Sequence, residues 1–127
     1  MSEPQLRDIL CEGPAGPHRM AWWQWGPSDA ADLVVCVHGL GRQGRDFDVL
    51  ARALLDAAQA RGRPLRVVCP DIAGRGKSQW LADPQHYVPP TYAGDMLTLL
   101  QSLHQEAPIG RLGWVGTSMG GLIGMVL

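Results

Sequence analysis

Long apolar runs are missing from this sequence of 127 residues: no stretch approaches the ~20 apolar residues that a membrane-spanning helix needs. The first ten residues, MSEPQLRDIL, include acidic side chains and no apolar segment of the signal-peptide kind, so no signal peptide is expected. An excess of charge is missing too. Eleven Lys and Arg stand against twelve Asp and Glu, a formal net charge of -1, and the arginines are scattered. That balance points away from nucleic acid or any other polyanion as partner. Cysteine is scarce. Cys11, Cys36 and Cys69 have no metal-ligand spacing, and Cys36 and Cys69 fall inside β-like runs as small core side chains. Internal repeats and low-complexity tracts are absent, since the sixteen glycines and ten prolines lie between apolar runs, as turn residues do. The expectation is a cytoplasmic chain, one domain or part of one, with no membrane, nucleic acid, metal or cofactor.

Two strands are expected first, Leu6–Cys11 and His18–Gly26, joined by the turn EGPAGP. Trp23 and Trp25 share one face of the second, because side chains alternate along a strand, and both are expected to pack in the hairpin. The pattern then changes. LVVCV (Leu33–Val37) and LRVVCP (Leu65–Pro70) are continuous apolar runs, as expected of strands covered on both faces. Between them Phe47, Leu50, Leu54 and Ala58 recur at helical spacing, with Asp46 as N-cap and Gly62 and Pro64 as the stop. A proline-bounded loop leads to TYAGDMLTLLQSLHQE, where Tyr92, Met96, Leu99 and Leu103 line one helical face. RLGWVG (Arg111–Gly116) is the next short strand, and TSMGGLIGMVL begins another helix. Two strands followed by β-α-β-α-β-α predict an α/β fold, a parallel-type sheet with helices on both faces and an N-terminal β-hairpin.

Gly116-Thr117-Ser118-Met119-Gly120 fits G-x-S-x-G at a strand-to-helix turn. A serine at the apex of such a turn takes a strained backbone, which brings the positions two before and two after it together. Gly116 and Gly120 are therefore required, and Gly121 is expected to let the helix pack closely. The helix N-terminus favours negative charge at the hydroxyl, so Ser118 is the candidate nucleophile. An acyl-transfer site needs two backbone N–H groups aimed at the developing oxyanion. One is expected from Met119. The other is expected from HGLG after Leu33–Val37, where Gly39 leaves the backbone uncovered and Leu40 donates. His38 is expected to be structural.

VHGLG, DIAGRGKS and GTSMGG, in that order and at these spacings, resemble the α/β-hydrolase fold superfamily. The resemblance runs from about Leu33 onward and, with the two N-terminal strands, covers nearly the whole chain. It implies that Ser118 is the nucleophile, that the His-Gly turn supplies the oxyanion hole and that the loop Asp71–Ser78 shapes the rim of a site for a small-molecule acyl substrate. A serine at the elbow argues against the haloalkane dehalogenase and epoxide hydrolase branches. In the superfamily the acid and the histidine of the triad follow the serine along the chain. His18, His38, His86 and His104 all precede Ser118. The resemblance therefore implies the N-terminal part of a serine hydrolase, esterase-like, inactive as this chain alone.

Other readings stay open at this point. Gly39-x-Gly41-x-x-Gly44 after a buried strand, with Asp71 ending the next, is a passable dinucleotide-binding fingerprint with Asp71 on the ribose. Asp71 comes later than that fingerprint places its acid, and Arg42 and Gln43 occupy a turn where small or apolar residues are usual. A non-catalytic binding protein on the same fold, or an acyltransferase or perhydrolase with the same elbow, also fits.

Overall fold

The hairpin is longer than its sequence signals. In the computed structural model, which describes residues 3–127, β1 (Gln5–Gly13) and β2 (Gly16–Trp25) pair antiparallel from Gln5 opposite Gln24 to Gly13 opposite Gly16. Gly16 turns the chain at φ 114°, where a side chain would be strained. β3 (Asp32–Val37), β4 (Leu65–Pro70) and β5 (Arg111–Gly116) follow the apolar runs closely. The sheet order is β1-β2-β4-β3-β5. β2 joins β4 antiparallel, and β3 runs parallel to both β4 and β5. The carboxyl ends of β3, β4 and β5 therefore share one edge of the molecule.

Alternation along the strands divides the core. Leu33, Val35, Val37 and Val68 face α2 (Pro89–Glu106) and α3 (Met119–Val126), meeting Tyr92, Met96, Leu99, Leu103 and Ile123. Val34, Cys36, Val67 and Cys69 face α1 (Asp48–Ala60) on the other side. Trp23 and Trp25 pack there, as their shared face requires, while Trp22 joins the first cluster. Burying a tryptophan removes enough apolar surface to contribute about 4–6 kcal/mol before ordering entropy is subtracted. The mixed sheet with helices on both faces is the expected α/β class.

Asp46 is not the N-cap of α1. Gly44–Phe47 first forms a 3-10 turn, α1 begins at Asp48, and Phe47 stands at the cap with no side-chain bond. Phe47 is drawn inward by the core, and Asp46 instead accepts from Gln43 N–H at 3.2 Å and Arg42 Nε at 2.8 Å. Ala51 then faces the sheet and Leu50 turns toward solvent, so the buried stripe differs from the expected one. Gly62, at φ 66°, does end the helix. Pro89 and Pro90 open α2, two residues before its expected start, because the first helical turn needs no N–H donors.

Arg66 lies fully buried on the apolar strand β4. Its Nη2 donates to Ala107 O at 2.7 Å, and its Nη1 donates to Ser28 O at 3.2 Å and Leu103 O at 3.4 Å. It thereby satisfies carbonyls at the C-terminal end of α2, where a cation also meets the negative end of the helix dipole. Among the described residues no helix is long and apolar enough to cross a membrane.

Candidate active site

Ser118 sits between β5 and α3 with φ 53° and ψ -116°, the only non-glycine residue at positive φ among the described residues. Few side chains tolerate that region, and the surrounding glycines explain how this one does. A Cβ at Gly116 would run into the Gly121 amide nitrogen and lie 2.5 Å from Gly120 C. At Gly120 it would strike Val37 O and lie 2.6 Å from Val37 C. Both positions are closed to side chains, Gly116 by the elbow itself and Gly120 by the end of β3. Gly121 corrects the expectation of close packing: a Cβ there would rest 3.6 Å from Gly116 O, an ordinary contact. The first turn of α3 is closed by Gly121 N–H to Ser118 O at 3.0 Å, leaving Ser118 Oγ exposed at the helix N-terminus.

The turn after β3 lies against this serine. A Cβ on Gly39 would be 3.4 Å from Ser118 Cβ and 4.0 Å from its Oγ. Thr117 N–H donates to Val37 O at 3.1 Å and ties the two turns together. The N–H groups of Leu40 and Met119 donate to no protein acceptor among the described residues.

His38 holds this turn from behind. It is buried, with Nδ1 2.7 Å from Gly39 O, and its Nε2 accepts Ile72 N–H at 3.0 Å. Accepting at Nε2 requires the proton on Nδ1, so the ring is neutral and donates to Gly39 O. Burial, the largest influence, lowers its pKa from the ordinary 6.5. Asp71 braces the same region. Its buried carboxylate accepts Gly44 N–H at 2.7 Å through Oδ1 and Lys77 N–H at 2.9 Å through Oδ2. Ser78 Oγ donates to Asp71 O at 2.6 Å and accepts Ala21 N–H at 2.8 Å, fixing the loop to β2. Arg75 reaches back to the turn after β3, with Nε donating to Leu40 O at 3.0 Å.

None of the four histidines hydrogen-bonds Ser118 Oγ. His18 is buried with Nε2 2.8 Å from Asp95 Oδ2. His86 lies in the 3-10 turn Pro84–His86, 3.9 Å from Asp83, and His104 Nδ1 accepts Ile109 N–H at 3.0 Å. His18, Asp95 and Cys11 form a buried cluster whose ligand-type atoms lie within 4.8 Å of one another. Burial raises the Asp95 carboxyl, and burial followed by the Asp95 charge pushes the Cys11 thiol up to about 12. The spacing of the cysteines gives no signal for this cluster, which needs α2 packed on the hairpin. It pins α2 to β2.

Two depressions are relevant to ligand binding. One of about 610 Å³, lined in part by Gly26, Pro27, Leu55, Gln59 and Leu65, lies where β4 begins. Another of about 510 Å³ opens beside the turn after β3. On open parallel sheets ligands gather at the carboxyl ends of strands, which selects the second.

A family model described as the alpha/beta hydrolase family matches residues 34–126. A 3-hydroxybutyrate-oligomer hydrolase of Cupriavidus necator is 50% identical over 126 residues, 99% of this chain. The chain spans only 39% of that relative's length. Among solved structures, an alpha/beta hydrolase from Novosphingobium aromaticivorans superposes with a TM-score of 0.75 at 32% identity, over 99% of this chain and 39% of the other. A thioesterase domain from the curacin biosynthetic pathway gives a TM-score of 0.74 at 28% identity, over 96% and 40%.

Proposed function

The chain belongs to the alpha/beta hydrolase family, and from that premise we propose that it carries the nucleophile and oxyanion hole of a serine hydrolase acting on carboxylic esters. The observation that carries the reading is Ser118 at positive φ, exposed at the N-terminus of α3 and flanked by two glycines that cannot bear side chains. In this reading Ser118 Oγ attacks the ester carbonyl and the N–H groups of Leu40 and Met119 receive the developing oxyanion. The alcohol leaves, and water releases the acyl group from the serine. His38 keeps the Leu40 side of the hole in place and takes no part in proton transfer, because both of its ring nitrogens are already engaged.

A serine hydroxyl needs a base. None of His18, His38, His86 and His104 hydrogen-bonds Ser118. In this reading the base is a histidine other than these four, and the 127-residue chain by itself is expected to be inert. The substrate class proposed, from the relative of Cupriavidus necator, is a short oligoester of a hydroxy acid such as 3-hydroxybutyrate. A reducing, cytoplasmic setting goes with three buried cysteines that remain free. Against the dinucleotide reading, Asp71 is buried, with its carboxylate turned to the Gly44 and Lys77 N–H groups.

A fluorophosphonate probe applied to the full-length protein tests the assignment. It is expected to label Ser118. Ser118→Ala is expected to abolish labelling and lower turnover by on the order of 10⁴-fold or more. Full activity in that variant would refute the reading.

A further inference from the structure

The cleft beside the oxyanion turn has a use that the ester chemistry leaves unassigned. About 510 Å³ in volume, it is lined by Gly41, Arg42, Gln43, Asp46, Arg75 and Gly76. Arg75 is fixed in place: its Nε donates to Leu40 O at 3.0 Å, and its Nη1 donates to Ala73 O at 2.9 Å and Tyr92 Oη at 3.1 Å. The rings of Tyr87 and Tyr92 lie 5.8 and 5.5 Å from its guanidinium carbon. Those bonds take the Nε hydrogen and both Nη1 hydrogens, so only Nη2 is left without a protein partner among the described residues. Arg42 lines the same cleft with a side chain 68% exposed, held 2.8 Å from Asp46. Gly41 and Gly76 bring bare backbone to the wall, and a Cβ on Gly41 would meet nothing within 4 Å.

We propose that this cleft is an anion subsite in which Arg75 and Arg42 take a substrate carboxylate, the free acid end of a short ester chain. This rests on the ester-hydrolase reading above. A hydroxy-acid oligomer ends in a carboxylate a few bonds from its last ester, on the leaving-group side. Arg75 ties the anion subsite to the oxyanion turn through Leu40 O, so acid end and scissile carbonyl are read by one connected unit. Nη2, held in place by the bonds at Nε and Nη1, offers a fixed charge-assisted donor to one carboxylate oxygen, and Arg42 adds a second positive charge. Asp46 competes for Arg42 and limits the affinity.

The test compares an acid-ended dimer of 3-hydroxybutyrate with its methyl ester, using the full-length protein. The wild type is expected to prefer the acid in kcat/KM, and more so at low salt. Arg42→Gln is expected to shrink that preference by about fivefold, the scale of an exposed ion pair, mainly through KM. Asp46→Asn is expected to enlarge it. Equal kcat/KM for acid and methyl ester in the wild type would overturn the proposal. If neither dimer is turned over, the ester reading fails by itself, and an NMR titration with 3-hydroxybutyrate still decides the subsite. Shifts of the Gly41 and Gly76 amides, weakened in Arg42→Gln, support it; their absence refutes it.

Discussion

At Ser118 a side chain is held where a non-glycine residue costs on the order of 1–3 kcal/mol, and the contacts around it must offset that strain. Gly39 is one of those contacts and the most direct to probe. A valine there would place methyl groups over Ser118, since even a bare Cβ would lie 4.0 Å from Oγ. Gly39→Val is expected to lower kcat by about 10²–10³-fold, the usual cost of an oxyanion donor. Its denaturation midpoint should change little, because the Cβ itself meets only ordinary contacts. A change confined to KM would make the loop a substrate wall instead. His38 supplies a pH test. Its pKa is lowered by burial, so below 6.5 the unfolded chain binds a proton there that the fold resists. Stability from this residue is complete above about pH 6.5 and is lost as pH falls toward the lowered value. His38→Gln should be less stable than wild type at pH 8, by about 1–2 kcal/mol, and should lose less on acidification. Parallel urea-midpoint curves for the two proteins would refute this.

The elements differ in how far the sequence reveals them. β3 and β4 are legible because continuous apolar runs signal a strand covered on both faces, while β5, only partly covered, reads as a short strand leading into the elbow. The elbow is legible through its five-residue pattern, though only Gly116 is fixed by contacts inside it; Gly120 is closed by Val37 and His38 at the end of β3. The start of α1 is not, since burial of Phe47 displaces a good capping residue, Asp46, from the cap. Arg66 and the pair His18–Asp95 are illegible for another reason. Their partners lie on other elements, 77 residues away for His18 and Asp95, so only the packed fold brings them together. The brace beneath the site is of this kind as well. Asp71 joins the end of β4 to the turn after β3 by accepting Gly44 N–H, and closes its own loop by accepting Lys77 N–H. Asp71→Ala would leave Gly44 N–H buried without an acceptor, at a cost of about 2–4 kcal/mol once both lost charge-assisted bonds are counted. Urea denaturation measures this, and a loss under about 0.5 kcal/mol would mean the two turns hold their positions without Asp71.

At the scale of the whole chain, the site's edge of the sheet carries a run of exposed apolar side chains. β5 pairs with β3 on one side and, among the described residues, has no strand on the other. Leu112 on that strand is 48% exposed, and α3 beside it leaves Leu122, Met125 and Val126 at 58, 82 and 62%. An open strand edge next to apolar side chains is a template for pairing with another chain. The 127-residue chain, produced by itself, is therefore expected to self-associate as concentration rises in analytical ultracentrifugation. Replacing Leu122 and Met125 with lysine should reduce that association without restoring catalysis. On the proposed mechanism, catalysis is expected to fail for a separate reason. The proposed oxyanion donors and the N-terminus of α3 can stabilise charge on oxygen, but no described histidine hydrogen-bonds Ser118 to take its proton. The isolated chain should hydrolyse p-nitrophenyl esters no faster than its Ser118→Ala variant, whether monomeric or associated. A monomeric preparation with ordinary, Ser118-dependent turnover would overturn this, and would require His18, His38, His86 or His104 to leave the partners found here.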